Sequence, residues 1–400
     1  MASELTMPHE QYKLQQIAEI ADHIRFTNEA DKKLLLRGGG THSFGIPHDR
    51  EMFSIAGLRQ IVDYAPEDMT ITVEAGLPFC ELQSTLKKNN QWLPLEPPIN
   101  KQSTIGGIAA ANASGASRYL FGTMRNWLLG ARFITANGDI VHTGSKVVKS
   151  VAGYDMHKLL IGSYGTLAVI AELTFKVAPL PEKRGIVIIC SDDIIGSMTA
   201  SPQTMPAILN DLQPAFIVFC NKKSISEFQF EKRSVAERDQ DIIVFGFNGF
   251  TEETELQIRL TKEKFAFDRI DVYSEQDDVR NITETLINFT FAKPNAVRMI
   301  APPADTLALI AHIKNKLPNL SFIADIGSGV IDVIVENESY SFNPILANID
   351  IQKELRAAYL WNRDAAPVVG IVSLQEKNLA RGMKKMFDPK NLFGDYAWYK

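Results

Sequence analysis

Three consecutive glycines follow directly on an apolar run that ends in a cation. Leu34-Leu35-Leu36-Arg37 leads into Gly38-Gly39-Gly40-Thr41-His42. Residues without a Cβ adopt the positive φ that lets successive backbone N–H groups converge on one concavity, and such a nest suits the charge and acceptor oxygens of a diphosphate. A tight surface turn would use the same residues, so the loop alone does not decide between the two. It is not a P-loop, because no Gly-Lys pair occurs in the chain. Nor is it a GxGxxG fingerprint opening a helix, because the last glycine is missing and Pro47 follows.

Two further clusters sharpen the choice. Ser103-Thr104-Ile105-Gly106-Gly107, then Ile108 to Ala113, then Ser114-Gly115, reads as a capped helix start, a short alanine helix and a glycine stop. Glycine inside a helix costs roughly 1 kcal/mol, so a compensating close approach is expected. A helix N-terminus is also a favourable place for phosphate. Gly153-Tyr154-Asp155 and Gly162-Ser163-Tyr164-Gly165-Thr166-Leu167, running on to Ile170, read as a short helix interrupted by glycines that feeds a strand. Helix–strand packing would explain that cluster by itself. Three clusters in order along one stretch point to a diphosphate-bearing cofactor.

Composition removes other classes of function. Forty-two basic against forty-seven acidic side chains leave a net charge of -5, unlike the basic face of nucleic-acid binders. Cys80, Cys190 and Cys220 are too dispersed for an iron–sulfur cluster or a structural zinc site. No apolar run is long enough to span a membrane, and the N-terminal residues lack the apolar stretch of a signal peptide. The expectation is a cytoplasmic protein without direct membrane insertion, any membrane association coming through partners.

The elements that must hold these clusters are mixed. Helical spacing is seen at Leu14 to Ile24, alternation at Met69 to Glu74 and Leu167 to Lys176, and a hairpin signal at Asn137-Gly138. Pro179 and Pro181 punctuate a change to a glycine-poor, Phe-richer stretch. The expected division is 1–181, carrying the glycine clusters; 182–345, strands with helices over one face of the sheet; and 346–400, a segment returning to the first part.

At these residues the sequence becomes recognisable. RGGGTHSFG, STIGGIAAANASG, GTMRNWLLGARFITANGDIV and KSVAGYDMHKLLIGSYGTLAVIAELTFKV resemble the FAD-binding domain of the vanillyl-alcohol oxidase and p-cresol methylhydroxylase flavoprotein family. Order and C-terminal segment are most similar to the FAD-binding subunits of glycolate oxidase-type complexes. The likeness is dense over residues 34–181 and thin over 185–336, where it rests on Arg298, Pro302-Pro303 and Asp325-Ile326-Gly327-Ser328-Gly329. It returns at KKMFDPKNLF. The resemblance implies an α+β fold: a two-part FAD-binding domain and an α/β cap with an antiparallel sheet. It implies Gly38, Gly39, Gly40, Thr41 and His42 as the pyrophosphate loop. Thr104, Gly106, Gly107, Ser114 and Gly115 would lie against diphosphate and flavin, and Gly153, Tyr154, Gly162, Gly165, Thr166, Leu167 and Ile170 would line the FAD channel. It further implies a small 2-hydroxy acid as substrate, and a larger FAD subunit and an iron–sulfur subunit as partners that take the electrons.

Departures from the pattern set the remaining expectations. Thr41 shifts His42 out of the register of covalent flavin attachment, so FAD is expected to be non-covalent. His42 with His48 as a metal pair competes with two solvated loop histidines. Arg118 and Arg125 are either flavin or phosphate partners or surface arginines, and Asp155 reads as a helix N-cap. Oxidising a 2-hydroxy acid needs a cation for its carboxylate and a base for its hydroxyl proton. Arg298 is a candidate for the cation, with an ion pair as the competing reading, and Tyr154 is a second weak catalytic candidate. The cap offers one histidine, His312, and no obvious base, so the isolated chain is expected to turn over glycolate or lactate poorly. A stand-alone FAD dehydrogenase and a non-catalytic FAD-holding scaffold stay open.

Overall fold

The structure, a computed structural model, describes residues 17–41, 50–98, 100–145, 155–199, 211–227, 240–265, 267, 269–289, 295–334, 357–362, 365–369 and 374–395. The first lobe is built on five antiparallel strands in the order β3 (Ile61–Ala65), β4 (Thr70–Glu74), β8 (Val169–Lys176), β6 (Leu128–Ile134) and β7 (Ile140–Gly144). β8 is central because both its edges are used, by β4 and by β6, and only its last residue escapes burial. Helix α1 (Ile17–Glu29) buries Ile20 and Ile24, and α2 (Phe79–Lys87) buries Leu82 and Leu86, in the core this sheet presents. Asn137-Gly138 closes the β6–β7 hairpin, with Gly138 at φ 78°, where a side chain would be strained.

The glycine loops hang on short elements beside this sheet. β1 (Leu34–Arg37) pairs in parallel with β2 (Glu51–Ser54), and β5 (Gln91–Trp92) with β9 (Ala178–Pro179) antiparallel. Helix α3 (Ile105–Ala111) is capped at its start by Thr104, whose side chain accepts from Gly107 N, and stopped by Asn112 in the left-handed region. Two four-residue helices follow, α4 (Arg118–Phe121) and α5 (Met124–Trp127).

The second lobe is one nine-stranded antiparallel sheet. Its order is β13 (Arg269–Tyr273), β10 (Lys183–Ser191), β12 (Asp241–Gly249), β11 (Phe216–Cys220), β15 (Phe322–Asp325), β16 (Val330–Ile334), β14 (Asn295–Ile300), β17 (Ala357–Asn362) and β18 (Ala365–Val369). The expectation of helices over one face is corrected here. α6 (Ile194–Thr199), α8 (Thr251–Lys264) and α10 (Thr306–Lys316) share a core with Val187 and Ile189 of β10, whereas α9 (Gln276–Asn288) packs on Ile186 and Ile188, on the opposite face. The reason lies in the strands: Ile186 to Ile189 are apolar at every position and fully buried, so both faces need cover. Helix α7 (Lys222–Glu227) contributes Ile225 to the second of these cores, and Ala116 and Phe121 of the first lobe pack against it.

The C-terminal return differs from the expected boundary at 346. β17 and β18 extend the second sheet from the edge of β14. The chain rejoins the first lobe with α11 (Leu374–Phe387), whose Met383 and Phe387 pack against the first core. Pairing to the free edge of β14 is a non-local choice that composition does not reveal.

Candidate functional site

The first two glycine clusters form one surface. A Cβ on Gly38 would collide with Thr104 Oγ1, and one on Gly39 with the Gln102 carbonyl, while Gly40 sits at φ 71°. Ser103 Oγ donates to Thr41 Oγ1 at 3.0 Å, tying the loop to the start of α3. Within α3 the two glycines have different jobs. Gly106 N donates to the Ala75 carbonyl at 2.8 Å. A Cβ there would lie 2.6 Å from Ala75 Cβ, so this close approach is to β4's extension and not to a ligand. A Cβ on Gly107 would meet only Thr104 Oγ1, at 3.2 Å, and otherwise faces open space. Gly107 is therefore the glycine that leaves room for a bound group.

The third cluster docks on the other end of α3. Gly162 N donates to the Ala109 carbonyl at 3.1 Å and Tyr164 N to the Ala110 carbonyl at 2.9 Å. Gly162 and Gly165 have φ of 78° and 74°, and Gly165 lies against Leu36 of β1. All three clusters thus meet around one short helix. Thr166 Oγ1 donates to the Ser163 carbonyl at 2.6 Å, and Leu167 and Ile170 are part of the first core. Asp155 occupies the N-cap position of the turn at Met156–Leu160 but makes no side-chain capping bond. His42, His48, Gly153 and Tyr154 lie outside the described residues.

Two hydroxyls near this helix ask for a partner. Ser114 Oγ and Ser163 Oγ are on residues 8 % and 6 % exposed, and neither makes a hydrogen bond. Orphaned buried polar atoms are uncommon enough to need a reason. Together with the open side of Gly107, they fit a bound polar group running along α3.

Past α3 the chain reaches a cavity of about 50 Å³ between the lobes. Ser114, Gly115 and Arg118 line it from the first lobe, and Arg298, Asp325 and Asp332 from the second, with Val218, Ile323, Val330 and Leu286 as apolar wall. At roughly 10–15 Å³ for one water-sized occupant, that volume has room for several and so for a small organic molecule. Arg298 meets Asp332 through two hydrogen bonds of 2.7 Å, from Nε and Nη2. The ion pair and the cavity location are both realised for Arg298, which sequence reading had set against each other. Arg118 Nη2 donates to the Ser114 carbonyl at 3.1 Å. Burial lowers the Arg118 guanidinium pKa, as does Arg298 nearby, while Asp325 and Asp332 oppose the shift. Burial pushes the Asp325 carboxyl up to about 6, against the hydrogen bonds from Ser328 and the field of Arg118.

Other candidates separate from this site. Arg125 is exposed, its carbonyl accepting from Lys158 at 2.7 Å. His312 lies on α10 and does not line the cavity. Sequence reading missed Asp325 and Asp332 as site residues. The available signal was an acidic residue at each end of the IGSGVI turn, whose Gly329 has φ 74°. Among the described residues no group of three or more metal-ligating side chains occurs, and no helix is long and apolar enough to cross a membrane.

Comparison with known proteins names the bound group. Residues 12–144 match the family of FAD binding domains. Glycolate oxidase subunit GlcE of Escherichia coli is 37% identical over 150 residues, 37% of this chain and 43% of that protein. The mitochondrial cytochrome-type D-lactate dehydrogenase of Arabidopsis thaliana is 30% identical over 243 residues, 56% of this chain and 42% of that protein. The matched region thus spans less than half the length of these relatives. A solved structure of alkyldihydroxyacetonephosphate synthase superposes with a TM-score of 0.62, covering 95% of this chain and 75% of that one at 14% identity, which establishes a shared fold. The expected fold class is met, and FAD is the cofactor.

Proposed function

We propose that this chain, whose residues 12–144 are an FAD binding domain, oxidises a small 2-hydroxy acid in the cavity between its lobes, as the FAD-binding subunit of a glycolate oxidase-type complex. The observation that carries this is the convergence of Arg118 and Arg298, one from each lobe, on a cavity that also contains Ser114 and Gly115. Arginine is suited to a carboxylate because its planar fork can donate two parallel hydrogen bonds. The apolar wall of Val218, Ile323 and Val330 lowers the local polarity and strengthens that attraction.

FAD, when bound, supplies a two-electron acceptor. The chain's own residues bind and orient. The loop at Gly38 to Thr41, Thr104, Gly107, Ser114 and Ser163 hold the cofactor non-covalently. Arg118 and Arg298 hold the substrate carboxylate, and the ion pair with Asp332 fixes the Arg298 guanidinium so that its geometry is set before substrate arrives. Sustained turnover needs electrons to leave, and three dispersed cysteines cannot build an iron–sulfur path. A larger FAD subunit and an iron–sulfur subunit would complete it.

The test is anaerobic addition of glycolate and D-lactate to the FAD-loaded chain, followed by flavin absorbance. One round of bleaching, with turnover appearing only on adding partner subunits, is the expected result. Arg118→Met and Arg298→Met should raise the substrate concentration needed for half-maximal bleaching by about 10- to 100-fold each, the loss of one charge-assisted hydrogen-bond donor pair. No bleaching by any short 2-hydroxy acid would leave the chain a scaffold that only holds FAD.

A further inference from the structure

We infer that Asp325 is the group that takes the hydroxyl proton of the substrate in the interlobe cavity. This rests on the reading of that cavity as a 2-hydroxy-acid site. The sequence offered no base in the second lobe because histidine was the residue type sought there. The structure supplies a carboxylate instead.

The argument is one of elimination among the lining groups, followed by geometry. Among the described residues that line the cavity, Asp325 and Asp332 are the side chains with a carboxylate able to take up a proton. Asp332 has both oxygens engaged by the Arg298 guanidinium at 2.7 Å, so its carboxylate is already committed to that partner. Asp325 ends β15, and its two oxygens each take one hydrogen bond from Ser328: Oδ1 from the backbone N–H at 3.2 Å, and Oδ2 from the side-chain hydroxyl. The backbone N–H of Gly327 donates to the same carboxylate; with about four acceptor sites on the group, these bonds lock the rotamer and leave about one site open. The charged groups around it are Arg118 from the first lobe, Asp332 from the adjacent β16 and Arg298 from β14 beyond it. Burial moves its titration from the ordinary carboxylate range to about 6, against Arg118 and the Ser328 bonds. A base poised close to the working pH is ionised in most molecules and still takes up a proton readily.

The step balances. The substrate O–H bond breaks and its proton passes to Asp325. The C2–H bond breaks and its hydrogen leaves with both electrons to the flavin, the C2–O bond becomes a carbonyl, and a 2-oxo acid remains. The hydroxy acid is oxidised by two electrons and the flavin reduced by two.

Two readouts test this on the FAD-loaded full chain. The first does not depend on turnover: oxalate, a dicarboxylate that cannot be oxidised by hydride loss, is titrated calorimetrically between pH 5 and pH 8. Ionised Asp325 repels the dianion, so oxalate affinity should fall about tenfold as pH rises through the Asp325 titration, and Asp325→Asn should abolish the fall. The second is the rate of flavin bleaching by glycolate or D-lactate, which should rise with pH over the same interval. Asp325→Asn should lower it about 100- to 10,000-fold with FAD content unchanged. Ser328→Ala removes the hydroxyl bond to the ionised form while keeping the backbone one, and should move both midpoints to higher pH, a shift that mere structural damage would not produce. If Asp325→Asn bleaches at the wild-type rate with the same pH profile, Asp325 is not the base although the cavity is the site. If the unsubstituted chain neither binds oxalate nor bleaches, the reading of the cavity is wrong and the assignment falls with it.

Discussion

Lys384 and Asp388 form a buried ion pair at 2.6 Å, one turn apart on and just beyond α11. Lys384 Nζ also donates to the carbonyls of Thr166 at 2.7 Å and Gly394 at 2.8 Å. Asp388 accepts from Leu392 N and Phe393 N at 2.7 and 2.8 Å. Burial lowers the Lys384 pKa and Asp388 restores part of it. Because Thr166 belongs to the third glycine cluster, the C-terminal helix is fastened to that cluster through this lysine.

Lys384→Met should therefore cost about 3–5 kcal/mol of stability, the usual result of stranding one partner of a buried pair. Denaturant unfolding would measure it. The double variant Lys384→Met with Asp388→Asn should recover part of the loss. A single variant within about 1 kcal/mol of wild type would show that the pair does not hold the helix.

The glycines of α3 should respond differently to a small side chain. Gly106→Ala drives a methyl into Ala75 and should destabilise the fold by about 1–3 kcal/mol. At Gly107 a Cβ meets only Thr104 Oγ1 at 3.2 Å, so in Gly107→Val the fold should survive while FAD content drops. Thermal melts of the apo forms, beside flavin content, separate the two effects. Equal FAD loss with equal destabilisation would mean that both positions serve packing.

What the sequence made legible was local. The turn at Asn137-Gly138 and the Thr104 cap are each specified by residues within a few positions of one another. The glycine clusters were legible for the same reason, although not the division of labour between Gly106 and Gly107, which depends on Ala75 from another strand. The cavity was not legible. Arg118 comes from a short helix of the first lobe, and Arg298, Asp325 and Asp332 come from β14, β15 and β16 of the second, so the cluster exists only once the lobes are apposed. Even then a single cue was present, the paired acids around the glycine turn, and a search for histidine passes over it.

FAD should leave the protein on acid precipitation and appear in the supernatant. Thr41 separates His42 from the glycine loop, outside the register for a covalent link, and the unpartnered Ser114 and Ser163 hydroxyls beside α3 are hydrogen-bonding groups. Flavin remaining with the precipitate after denaturation would overturn non-covalent binding.

The last expectation concerns the cost of holding Asp325 where it is. Its carboxyl titrates near 6 in the folded chain against an ordinary 3.8. Between those values the folded state binds more protons than the unfolded one, so stability is fully present below about pH 4 and is lost as pH rises through about 6. Two pKa units correspond to about 3 kcal/mol at most, and solvent access to the partly buried carboxyl reduces that. Asp325→Asn, whose amide resembles the protonated acid, should be more stable than wild type by about 1–2 kcal/mol at pH 8 and indistinguishable from it near pH 4. Chemical denaturation at the two pH values measures the difference. A stabilised but slow variant is the signature of a charge kept in an unfavourable place for its chemistry; equal destabilisation at both pH values would instead make Asp325 a structural ligand of the Ser328 turn.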